Sequence, residues 1–217
     1  MAAGSLPLFL SSGNLKSFLG AERTIFQPYD NERTEYHESQ VSLQCGKHAL
    51  NNLFQNLYRF YKDPNYLYYF VVNDKDKKPG FTNFNLKENC KRFQAQVRNV
   101  LGGVSTVRCE DTGNYESVYL EWVLKVLNIT TTALSPLLDQ SLRFDSFTHN
   151  ASRHRGILIN ITGHWICAYK YEKAGEQMIW WTHDSFDRPN VHPSFPTHFD
   201  LLVYLERKPW LRCIFIA

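Results

Sequence analysis

The chain has 217 residues, 43% of them hydrophobic and 15% aromatic, with 24 basic against 21 acidic side chains and a net charge of +3. That length suits one domain with an arm or tail, and the composition excludes both a disordered chain and a mini-protein that depends on staples. The charge is too near balance for nucleic acid or an anionic membrane to be the main partner.

Residues 1–35 mix Gly, Ser, Pro and charge without periodicity, and read as an N-terminal extension to a domain covering 36–217. The apolar run Leu6-Pro7-Leu8-Phe9-Leu10 is short and proline-broken, with no basic residue ahead of it, unlike a signal peptide or a membrane span. The five cysteines, at 45, 90, 109, 167 and 213, are odd in number and contain no CxxC pair. They predict thiols rather than a disulfide framework, and a soluble chain in a reducing compartment, the cytoplasm or the nucleus. Three N-x-S/T triplets begin at Asn128, Asn150 and Asn160, of which Asn160 falls in a segment that reads as a buried strand.

From Cys45 to Tyr61 the apolar residues fall at 49, 50, 53, 54, 57, 60 and 61, the spacing of an amphipathic helix. Asp63-Pro64 closes it, since a proline disfavours helical geometry in the residue before it. Residues 66–72 fit strand or helix equally, and the mixed charges of 74–80 read as a solvated loop. Asn85 to Val100 predicts a second helix, with Asn85 as N-cap and Gly102-Gly103 as its end. Asn114 to Leu127 predicts a third, with Val118, Trp122, Val123, Val126 and Leu127 on one side. Ile129–Leu134 follows, and 139–155 reads as a polar loop. The runs 156–161, 164–171 and 178–182 are short, β-branched or aromatic and separated by turn residues, as antiparallel strands are. Helices first and strands after make the class α+β, with N-terminal helices packed on a C-terminal antiparallel sheet.

Cys45 stands at the first turn of its helix, where unpaired N–H groups and the helix dipole favour a thiolate and so arm a nucleophile. Gly46 beside it lets a substrate backbone approach. A thiolate nucleophile needs a histidine within hydrogen-bond reach and an acceptor that orients the histidine. If strands 164–171 and 178–182 form a hairpin centred near Ala174, His164 and Asp184 lie directly across from one another. His183 then points to the other face. The side-chain amide of Gln40, with the Cys45 N–H, could donate to an oxyanion. A buried, inert cysteine and a structural His–Asp pair are the bland readings of the same residues.

Tyr36-His37-Glu38-Ser39-Gln40, followed four residues later by Cys45-Gly46-Lys47-His48-Ala49-Leu50-Asn51-Asn52, resembles the start of the Josephin domain. Gly113-Asn114-Tyr115 with the Val118–Leu127 helix, Gly163-His164-Trp165-Ile166, and Trp181-Thr182-His183-Asp184-Ser185 resemble its later segments, over about residues 35–190. The resemblance implies a papain-like cysteine deubiquitinase fold and a thiol isopeptidase that acts on ubiquitin and ubiquitinated proteins; the chain is expected to be a monomer. Cys45 would be the nucleophile, His164 the base, Asp184 the orienting acid and Gln40 the oxyanion donor. Trp165 would stand near a narrow cleft for the Gly-Gly end of ubiquitin. No cofactor or metal is implied. Two departures from the family pattern stand out: the 20 residues from His164 to Asp184, and the poor alignment of 62–110, where the family carries a helical arm beside the cleft.

Three other functions fit parts of the pattern. Cys45-x-x-His48 and His164-x-x-Cys167 offer zinc-ligand types, but a strand sends residues 164 and 167 to opposite faces. A ubiquitin-binding pseudoenzyme would keep the cleft and lack turnover. A papain-like protease or deamidase acting on a ubiquitin-like modifier would share the same thiolate chemistry.

Overall fold

A computed structural model describes residues 44–63, 66, 71–72, 79–81, 83–102, 109, 115–135, 140–171, 178–186 and 192–217. Five helices and eight strands alternate along it: α1 (Cys45–Tyr61), β1 (Val71–Val72), β2 (Pro79–Gly80), α2 (Asn83–Leu101), α3 (Ser117–Val126), β3 (Thr131–Leu134), α4 (Gln140–Arg153), β4 (Gly156–Ile161), β5 (His164–Tyr171), β6 (Ile179–His183), β7 (Ser194–Phe195), α5 (His198–Glu206) and β8 (Trp210–Ile216). Among the described residues, β1 and β2 form a separate two-stranded sheet. The other six strands make one antiparallel sheet in the order β3-β8-β4-β5-β6-β7.

The α+β class holds, but helices cover both faces of the sheet. On one face α1 lays Leu50, Leu53, Phe54 and Leu57 against Leu158, Trp165, Cys167, Tyr169, Ile214 and Ile216. On the other, Phe147 and Ala151 of α4 and Leu201, Leu202 and Leu205 of α5 cover Ile157, Ile159, Ile166, Ala168, Trp180 and Phe215. Two covered faces explain why Ile157-Leu158-Ile159 is apolar without alternation: all three are fully buried. Segment 139–155 is therefore not a polar loop. Among its described residues the buried apolar positions are Phe147 and Ala151, with Leu142 and Phe144 exposed, so the helical period is faint in the sequence.

α1 matches its predicted span and buries its apolar face as expected. Lys62 ends it in the left-handed region (φ 51°), its N–H donating to Tyr58 O at 2.8 Å; Pro64 lies outside the described residues. The polar face of α1 is buried too. Asn51 clasps the backbone of Phe81, accepting from its N–H at 2.6 Å and donating to its carbonyl at 3.2 Å. The crossing of α1 over β4 requires Gly156, because a Cβ there would stand 2.8 Å from Leu53 Cδ1.

α2 begins at Asn83, so Asn85 lies inside the helix rather than at its cap. Gly102 ends it as predicted, at φ 64°. α3 starts at Ser117 and is buried almost all round, through Tyr119, Leu120, Trp122, Val123, Leu124 and Val126, while Val118 turns outward. Cys90 and Cys109 form a disulfide, which corrects the expectation of thiols throughout. Their Cα atoms stand 5.6 Å apart, within ordinary bridging reach. Cys45, Cys167 and Cys213 keep their thiols. No helix among the described residues is long and apolar enough to cross a membrane.

Candidate active site

Cys45 is the first residue of α1 and is buried, in the same cluster as Leu50 and Leu53, which anchor that helix to the sheet. His48 N–H makes the bond to Gln44 O at 3.1 Å, so the N–H groups of Cys45, Gly46 and Lys47 lie ahead of it at the positive end of the helix dipole. Gly46 is buried beside Cys45. The sulfur lies 4.0 Å from the Gly163 carbonyl oxygen, and Cys45 is near enough to His164 to raise the proton affinity of its ring.

His164 opens β5 immediately after the two-residue turn from β4. Its Nε2 and Asp184 Oδ1 are 2.7 Å apart, which leaves Nδ1 as the nitrogen for Cys45. Burial lowers the affinity of the ring for a proton, but the Asp184 hydrogen bond, the Cys45 contact and their charges outweigh it and raise the His164 pKa to about 9. Burial likewise works against the Asp184 charge. The His164 bond, the Phe186 N–H at 3.0 Å and the charges of His164 and Lys208 reverse this and hold the carboxyl below its ordinary value.

Asp184 reaches His164 by a route different from the expected one. The β5–β6 register pairs Cys167 with His183 and Tyr171 with Ile179, two residues off a hairpin centred at Ala174. Continued to the end of the strand, that register sets Phe186 opposite His164, with Asp184 on the diagonal. A two-residue shift keeps side chains on the same faces, whereas a one-residue shift would have reversed them. The pairing survives for that reason. His183 is turned away from the site as expected: it is fully buried and bonded through Nε2 to the Tyr169 hydroxyl at 2.9 Å.

Trp165 is not at the surface of a cleft. Its side chain is fully buried, with Nε1 donating to the Tyr115 carbonyl at 2.8 Å, because β5 turns it onto the face covered by α1. It anchors the strand that carries His164. Gln40 lies outside the described residues. The other two thiols, Cys167 and Cys213, are fully buried, and burial pushes both well above the ordinary thiol range. Among the described residues no group of three or more His, Cys, Asp or Glu is arranged to hold a metal ion.

Phe186 went unnoticed in the sequence. Its ring stacks on His164 at 4.7 Å between centroids yet remains 63% exposed. Its position two residues after Asp184 carries no motif; only the hairpin register brings it over the imidazole.

The arrangement can perform one kind of chemistry well. A helix N-terminus supports a thiolate, an imidazole takes and returns a proton beside it, and a carboxylate fixes the imidazole and stabilises its charged form. The Josephin family profile matches residues 40–207, which extends the likeness past residue 190 through β7 and α5. No curated protein matches the chain. By its match over residues 40–207, the chain belongs to the Josephin family of deubiquitinase-like cysteine hydrolases.

Proposed function

We propose that this protein hydrolyses the isopeptide or peptide bond after the C-terminal glycine of ubiquitin, with Cys45 as nucleophile, His164 as general base and acid, and Asp184 as the group that orients His164. The observation that carries the reading is the chain of contacts from Cys45 to His164 to Asp184, ending in a 2.7 Å bond between a raised imidazole and a lowered carboxylate. Proton transfer to His164 arms the sulfur, which attacks the glycine carbonyl. The oxyanion that forms takes hydrogen bonds from the Cys45 N–H and the Gln40 amide. The imidazolium then protonates the departing lysine amine, leaving a thioester on Cys45. Water, deprotonated by His164, cleaves the thioester and restores the thiolate while ubiquitin leaves with a free carboxylate. The reading carries with it a monomeric enzyme of the cytoplasm or nucleus.

The test is reaction with ubiquitin bearing a thiol-reactive C-terminal warhead, on the intact protein and on Cys45→Ala and His164→Ala. An adduct on the intact protein that disappears in both variants is the expected result. A folded protein that forms no adduct with ubiquitin overturns the proposal. Labelling by a ubiquitin-like probe instead would redirect it to another modifier, and binding without labelling would make the chain a pseudoenzyme.

A further inference from the structure

The turn that delivers His164 is held by side chains outside the reaction centre. β4 and β5 are joined by Thr162 and Gly163 alone, both with positive φ, 49° and 84°. That is the primed hairpin geometry, which glycine adopts readily and a β-branched residue does not. Three hydrogen bonds hold it. The Thr162 N–H and hydroxyl both donate to the Pro209 carbonyl, at 3.1 and 3.0 Å. The Gly163 N–H donates to Asn160 Oδ1 at 2.9 Å.

Asn160 sits where a strand would ordinarily carry an apolar residue. It is only 9% exposed, follows three fully buried aliphatic residues and pairs in register with the buried Trp165. The ladder to β8 slips between Asn160 and Ile161, so regular strand pairing on that side does not fix the position of the turn. The side-chain bond from Asn160 to Gly163 does, together with the two Thr162 bonds to Pro209. Gly163 is also the residue whose carbonyl faces the Cys45 sulfur and whose next bond leads to His164. The triplet Asn160-Ile161-Thr162 thus has a use unrelated to glycosylation, since its first and third side chains both clamp this turn.

We propose that Asn160 is a positioning residue: by holding the Gly163 N–H it sets the backbone from which the His164 ring and the Gly163 carbonyl reach Cys45. This rests on the assignment of Cys45 and His164 as nucleophile and base. A change of about 1 Å at reacting atoms is worth up to about a hundredfold in rate. Losing the acceptor should therefore act on the chemical step rather than on ubiquitin binding.

The test compares the intact protein with Asn160→Ala, which removes the acceptor, and Asn160→Asp, which keeps an oxygen in its place. Two measurements are made: kcat and KM on a fluorogenic ubiquitin substrate, and the rate of Cys45 alkylation by iodoacetamide across pH. Asn160→Ala is expected to lower kcat at least about tenfold with KM within about twofold, and to move the pH profile of alkylation. Asn160→Asp is expected to recover most of both losses. The proposal is overturned if Asn160→Ala matches the intact protein in both measurements. It is equally overturned if Asn160→Asp is as impaired as Asn160→Ala while all three unfold at the same temperature. Should the intact protein fail to cleave the ubiquitin substrate, the proposed function falls, and the alkylation profiles alone still decide the role of Asn160.

Discussion

Replacing Asp184 by Asn keeps the size of the side chain and removes the charge that sustains the His164 imidazolium. The ring sits at about 9 against an ordinary 6.5, and the largest influence lifting it is the Asp184 hydrogen bond. A rise of that size corresponds to about 3 kcal/mol of preference for the charged ring. The two side chains are 24% and 27% exposed, sheltered enough for most of it to survive solvent screening. Without the carboxylate the largest influence lifting the ring is gone, and its pKa falls from about 9 toward its ordinary 6.5. At pH 7.5 the imidazolium population would then drop roughly tenfold, with a further loss as the ring is no longer oriented. The assay is kcat/KM against pH on a fluorogenic ubiquitin substrate. In the intact protein the alkaline limb should lie near pH 9, where the acid that protonates the leaving amine is lost. In Asp184→Asn it should move into the neutral range. Stability should follow the same logic. A histidine raised in the folded state contributes fully below its unfolded value of 6.5, and that contribution fades as pH climbs through about 9. The lowered Asp184 contributes above its unfolded value of 3.8 and is lost as pH falls through its folded value. The stability gap between the two proteins should be widest from just above pH 4 to about 6.5. An alkaline limb at the same pH in both proteins would mean that the Asp184 carboxylate does not sustain the His164 imidazolium.

Other expectations follow from single contacts. Phe186→Ala removes an exposed ring that stacks on His164; it should lower kcat/KM by about 0.5–1.5 kcal/mol, roughly twofold to tenfold, and leave the unfolding midpoint nearly unchanged. Gly156→Ala presses a methyl against Leu53 at the crossing of α1 and β4, and urea denaturation should show a loss of about 1–3 kcal/mol. Cys90→Ser opens the Cys90–Cys109 bridge, whose 19-residue separation predicts about 2–4 kcal/mol of lost stability in urea. Dithiothreitol should reproduce that loss in the intact protein and add nothing in the variant.

The strongest local signals in the sequence were read correctly because local physics alone produces them. α1 runs from Cys45 to Tyr61 as its apolar spacing requires, and β4 and β5 match their β-branched runs residue for residue. A glycine at 102 ended its helix in the left-handed region that glycine tolerates. Where the signal was shared between faces, the reading failed. Segment 140–153 is polar over most of its surface, and only the far face of the sheet makes Phe147 and Ala151 a helical stripe. The family resemblance places Trp165 near a cleft, and strand alternation turns its ring into the core. Residues 190–217 carried no part of the motif, although β8 lies between β3 and β4 and buries Cys213, Ile214, Phe215 and Ile216 completely. Pairing of that kind joins residues far apart in the chain and leaves no periodic trace.

Local sequence supplies the reactive groups: a cysteine where a helix begins, a histidine at the head of a strand and a carboxylate 20 residues on. Tertiary structure decided how these residues meet. The two-residue shift in hairpin register, the diagonal reach of Asp184, the ring of Phe186 over His164 and the clamp from Asn160 all depend on which strands pair and where. Residue identity sets what a side chain can donate, accept or ionise. The distance at which it does so is settled by contacts between segments separated by tens of residues, whose loop-closure cost only the packed core repays.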